Sequence, residues 1–93
     1  MTELLAMFKK SIGDLSPGTE LDGYYTNFLS MAKAQFESED ISEMALASEL
    51  GQFATVLCAQ LIMNDKSTAD NSTLILLRSM LTARTKGERH GNG

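Results

Sequence analysis

Ile41-Ser-Glu-Met-Ala-Leu-Ala-Ser-Glu-Leu-Gly-Gln-Phe-Ala-Thr-Val-Leu-Cys-Ala-Gln-Leu-Ile-Met63 is the stretch on which the fold turns. It is rich in Ala, Leu, Met and Glu, which favour helix. The pattern predicts one long helix. From Phe53 to Met63 the apolar side chains point to nearly every side. A surface helix of a small domain needs one apolar stripe, whereas a helix apolar all round must be enclosed. The expectation is a central helix wrapped by the other helices, with neighbouring subunits as the alternative source of cover.

Two starts suit this helix. Asp40 and Glu43 have capping-box spacing; alternatively Ser42 caps and Ile41 packs on Leu46 as a hydrophobic staple. Upstream, Leu21, Tyr25, Phe28, Ala32 and Phe36 line one face of a second helix, with Thr19 or Asp22 as its cap. The acidic run Glu37-Ser38-Glu39-Asp40 ends it. Before it stands Ser16-Pro17-Gly18, the clearest breaker in the chain. Leu5, Phe8 and Ile12, with Leu15 as a further candidate, recur at helical spacing in a first helix, with Thr2 as cap and Gly13 as stop.

Downstream, Asn64-Asp65-Lys66-Ser67 closes the long helix, and Asp70 or Asn71 starts a fourth. Leu74, Leu77 and Leu81 form one stripe; Thr73, Leu76 and Met80 form an adjoining one. Together they make a broad apolar face, and the first stripe is expected to pack on Phe53, Leu57 and Leu61. Ile75 falls on the side of Arg78 and Thr82, where burial is harder to arrange. Val56 is the only valine, and no apolar alternation competes for strand. The fold class is all-α: a four-helix domain over residues 1–84 with a long third helix, then a basic, flexible tail over 85–93.

The chain has 93 residues, enough for one domain with a modest core. Its single cysteine, Cys58, rules out an intrachain disulfide and suits a reducing compartment. The start, Met1-Thr2-Glu3, lacks the order of a secretion signal. Residues 44–63 approach spanning length, but Ser48, Glu49, Gly51, Gln52, Thr55 and Gln60 interrupt them, so no membrane association is expected. The net charge of −4 is unevenly placed. Residues 1–77 carry four basic and eleven acidic side chains, whereas 78–93 carry Arg78, Arg84, Lys86 and Arg89 against Glu88. An acidic body of −7 therefore ends in a basic segment of +3, which disfavours general coating of nucleic acid.

Catalytic, metal or cofactor chemistry finds little footing. The sole histidine, His90, stands in a glycine-rich end, and a general base must be held within reach of its target. Cys58 sits among Val56, Leu57, Ala59 and Leu61, the setting of an inert core thiol. Glu37, Glu39, Asp40 and Glu43 do not have EF-hand spacing. No phosphate-loop, dinucleotide, zinc-protease or C-x-x-C pattern occurs. Met7, Met31, Met44, Met63 and Met80 read as core fillers on apolar faces. Tyr25 fits the inner stripe and turns Tyr24 outward, where it is equally an ordinary surface residue or an interface anchor. Arg84 and Lys86 complement a helix C-terminus, but a basic segment continuing to Arg89 also fits docking on a phosphate or an acidic partner.

The layout resembles the small head–tail connector proteins (adaptor or head-completion proteins) of long-tailed bacteriophages. The similarity covers about residues 20–89 and is one of pattern. It rests on the second helix from Leu21 through Tyr24-Tyr25 to Ala34, on the apolar helix ending Ala59-Gln60-Leu61-Ile62-Met63-Asn64, and on Asn71-Ser72-Thr73-Leu74-Ile75-Leu76-Leu77-Arg78-Ser79-Met80-Leu81. The chain departs from the commoner pattern in lacking an aromatic-rich end to its third helix. The resemblance implies a structural virion protein at the head–tail junction, made in the host cytoplasm. Such proteins form a homo-oligomeric ring beneath the portal protein and extend the DNA channel. They offer a platform to the next head-closure or tail protein and do no covalent chemistry. An acidic wall suits DNA passing through, because one that attracted phosphate would hinder it.

On this reading Tyr24, Ile75, Arg78, Arg84, Lys86 and Arg89 are the candidate partner or subunit contacts. The alternative is a small helical DNA-binding or regulatory protein. A recognition helix at 72–84 would need base-reading side chains near its start, and Ser72, Thr73, Leu74 and Ile75 offer few.

Overall fold

The computed structural model describes residues 2–91, and the side chains of 3–88. The described residues are helical with no strand, so the chain is an all-α domain. Five helices follow in order: α1 (Thr2–Ser11), α2 (Asp22–Ser38), α3 (Glu43–Ala47), α4 (Glu49–Met63) and α5 (Ser72–Gly91). Helix α4 is the centre. It packs on α2, with α1, α3 and α5 also against it, and α3 touches α5 as well.

The expected third helix is two. Ser48, at φ −67° and ψ 164°, leaves helical geometry and serves both pieces. Its backbone N–H donates to Ala45 O and ends α3. Its hydroxyl oxygen accepts from Gly51 N at 3.1 Å and caps α4. A serine hydroxyl competes with the helical ladder for nearby backbone groups, and here it wins. The break folds α3 back over α4. Gly51 permits this, since a Cβ there would lie 2.5 Å from both Leu46 Cα and Leu46 O. Upstream, Ser42 is the cap of α3, accepting from Ala45 N at 3.0 Å, and Ile41 and Leu46 are both buried.

Three helices end alike. Gly13, Asp40 and Asp65 have positive φ. Each is bracketed by the paired bonds of a Schellman motif: Asp14 N to Lys9 O, Ile41 N to Phe36 O, and Lys66 N to Leu61 O. Gly13 thus stops α1 as expected, and Leu15, beyond that stop, is exposed rather than part of the apolar stripe. Asn71 starts α5, its Oδ1 accepting from Leu74 N at 2.9 Å. Helix α2 has neither expected cap. Leu21 occupies the N-cap position without a side-chain bond, and Asp22 Oδ1 instead pairs with Lys9 Nζ at 2.9 Å.

The core comprises Phe8 of α1; Tyr25, Leu29, Ala32 and Phe36 of α2; Ile41, Ala45 and Leu46; Ala54, Val56, Cys58 and Ala59 of α4; and Leu74, Leu77 and Leu81 of α5. Full burial of each large side chain contributes on the order of 2 kcal/mol. Leu29 replaces Leu21 and Phe28 as the buried member of its turn; Leu21 is exposed, and Phe28 packs on the core partly buried. The stripe Leu74, Leu77, Leu81 is buried; of its expected floor, Leu57 and Leu61 pack on the core partly buried, while Phe53 is half exposed at the hollow between α1 and α4. Met31, Met44 and Met80 are exposed rather than core fillers.

Helix α5 does not stop at 84. Thr85 is buried; its hydroxyl donates to Leu81 O and accepts from Ser42 N. Glu88 accepts from Ser42 Oγ at 2.6 Å. These contacts hold the residues expected to begin a free tail against the start of α3.

Candidate docking surface

At 100° per residue, the buried line Leu74–Leu77–Leu81–Thr85 occupies one side of α5. Leu76, Met80 and Ala83 fall on the far side. Leu76 is 61 % exposed and Met80 45 %, and Ala83 is exposed as well. Arg84 continues this stripe one turn beyond Met80, and Arg84 and Lys86 are both exposed. Leu76 and Met80 were expected to join the buried face. They lie too far round the helix for α4 to cover both stripes. The clue available in the sequence was the width of the apolar face: one supporting helix shields one stripe.

Ile75 is half exposed, as expected from its side of the helix, on the flank away from Met80. Arg78 turns inward. Its Nη1 donates to Thr68 O at 2.8 Å, its Nε lies 3.2 Å from Glu39 Oε1 without hydrogen-bond alignment, and its Cζ stands 5.7 Å from the centre of the Phe36 ring. It staples α5 to the end of α2 and to the preceding loop. Tyr24 is half exposed and meets Phe28 edge-on at 4.9 Å. It stands near the start of α2, about 18 Å along the helix from the Phe36 that Arg78 covers. Arg89 and His90 belong to the helical backbone of α5, and their side chains lie outside the described ones.

The acidic half carries a groove of about 310 Å³ where α1, α2, α3 and α4 meet. Leu4, Leu46 and Ala47 give it apolar walls, and Glu3, Glu43 and Lys33 charge its lining. A smaller apolar hollow between α1 and α4 is edged by Met7, Phe53 and Leu57.

Cys58 is fully buried, with its Sγ 3.5 Å from Gln35 Oε1. Burial pushes its thiol up to about 11, which keeps it protonated and unreactive at neutral pH. Tyr25 Oη donates to Asp14 Oδ2 at 2.9 Å. This bond, with a backbone N–H from Ser16, holds the Asp14 carboxyl below its ordinary range and pushes the Tyr25 phenol above its own. Among the described residues no three His, Cys, Asp or Glu side chains are grouped to hold a metal ion, and no helix is long and apolar enough to cross a membrane.

Comparison with protein families, with curated proteins and with solved structures finds no match for this chain.

Proposed function

We propose that this protein acts by docking, as a head–tail connector of a long-tailed phage. It joins a ring beneath the portal and presents a platform to the next head-closure or tail protein. The observation that carries the reading is the unpartnered α5 face, where Leu76, Met80 and Ala83 run into Arg84. Exposed apolar side chains grouped beside a cation are the composition of an interface centre and its rim. The sequence resemblance over about residues 20–89 supplies the biological setting. With Arg78 held by Thr68 and Glu39, the basic end offers little to read bases, which favours docking over duplex recognition.

Incorporation into particles tests the proposal. A Leu76→Glu/Met80→Glu variant should keep its helical spectrum and be lost from assembled particles and from portal pull-downs. Undiminished incorporation would refute the docking role of this face. Charge reversal at Arg84 and Lys86 is a cleaner probe of the basic end than truncation, because removing 85–93 also removes the buried Thr85 and the Ser42–Glu88 bond.

A further inference from the structure

We infer that the α5 stripe of one copy seats in the α1–α3–α4 groove of a second copy of this chain. The inference rests on the docking reading of α5 and adds its occupant. The groove and the stripe are complementary surfaces on one molecule. At about 310 Å³ the groove is at the small end of the ~300–1,000 Å³ span of small-molecule pockets. That is room for a few side chains of a helix face. Its walls Leu4, Leu46 and Ala47 are apolar. Leu76 and Met80 are the side chains such walls would cover.

Charge fixes the pairing. Glu3 and Glu43 outnumber Lys33 in the groove. Among the described residues, no ion pair joins Lys33 to either carboxylate. Arg84 extends the apolar stripe with a cation that makes no ion pair among the described residues. Seating Met80 against Leu46 and Ala47 brings Arg84, about 6 Å further along the helix, to the carboxylate rim. The contact joins two different surfaces, so each copy keeps one stripe and one groove for its neighbours. Repetition of such a contact generates a ring when its rotation closes and a filament when it does not.

Two introduced surface cysteines test this directly. Ala83→Cys places a thiol on the stripe, and Ala47→Cys places one in the groove; both positions are exposed, and buried Cys58 stays silent. The two chains are mixed at about 1 mM, a concentration that detects even weak association, and treated with a short bis-maleimide. The expected result is an adduct between residues 83 and 47 in the mixture and little with either chain alone. An Ala83→Cys adduct with itself would show α5 pairing with α5 and overturn the inference. No adduct at all would also overturn it, and particle incorporation of the wild-type chain would still decide the connector reading separately. In a second arm, Arg84→Glu and Glu43→Arg each lower the adduct yield about fivefold, and combining a stripe donor carrying Arg84→Glu with a groove donor carrying Glu43→Arg restores it. Failure of that restoration would refute the charge register.

Discussion

Ser42 Oγ donates to Glu88 Oε2 at 2.6 Å while accepting the Ala45 N–H at 3.0 Å. One hydroxyl thus caps α3 and anchors the far end of α5. The Ser42 N–H adds a bond to Thr85 Oγ1. Ser42→Ala removes a helix cap and a charge-assisted bond together, and should cost about 2 kcal/mol in urea unfolding. Amide exchange should speed up from Thr85 onward while the α4 amides stay protected. Equal loss of protection in both helices would contradict the anchoring role.

Gly51→Ala should be the most damaging single methyl in the protein. The added Cβ meets the backbone of Ala45 and Leu46, which cannot rotate away as a side-chain tip could. Overpacking of this kind costs about 3 kcal/mol or more. The melting temperature of the variant, read by circular dichroism, checks it. The same substitution at exposed Gly87, which has open space around it, should be neutral or slightly stabilising.

The Asp14–Tyr25 bond makes an acid-side prediction. The folded Asp14 carboxyl titrates below its ordinary value of 3.8. Its contribution is therefore present above that value and is lost as pH falls through the lower, folded one. Asp14→Asn should flatten this part of the stability profile, and Tyr25→Phe should do so partly, because the Ser16 N–H remains. Acid unfolding of the three proteins side by side provides the measurement.

Cys58 makes the opposite prediction on the alkaline side. Its thiol lies near 11 when folded, against an ordinary 9.0. Below the lower value both states are protonated and nothing changes. Between the two, the unfolded thiol ionises and the folded one does not, so stability falls as pH rises. Cys58→Ala should unfold more easily at every pH, through the cavity it leaves, yet show a shallower alkaline decline. Tyr25, also raised, keeps its own share of that decline. Rapid reaction of native Cys58 with a disulfide reagent near neutral pH would count against the buried, protonated thiol.

Much of the fold was legible because several residues have few good uses. Helix starts near 40–42 and 70–71 follow from their capping residues, with the choice of Ser42 over Asp40 and Asn71 over Asp70 made by the fold, and Leu74, Leu77 and Leu81 can share only one face. The break at Ser48 was hidden because local propensity around it favours helix. What decides it is the fit of α3 over Gly51, a contact between segments. The same holds at the C-terminus, where Thr85 and Glu88 look like tail residues until Ser42 is placed beside them. Of the candidate contacts, the exposure of Tyr24 and Ile75 followed from periodicity. The intramolecular partners of Arg78 were not legible, because Phe36 and Glu39 end α2 and Thr68 lies in the loop before α5. The exposed stripe at Leu76 and Met80 was missed because each apolar side chain taken alone reads as core, and only the width of the face, greater than one supporting helix shields, marks it.

The turn at Ser48 reaches further than its own neighbourhood. An unbroken helix from 43 to 63 would extend about 31 Å and carry its first turn off the end of the bundle. Bent at Ser48, that turn becomes a roof, and Ser42 arrives where α5 needs a partner. A bend in the middle of the chain thereby places the group that anchors a helix much later in it. The closing turns of the protein's last rod are moored by the bend of its middle one.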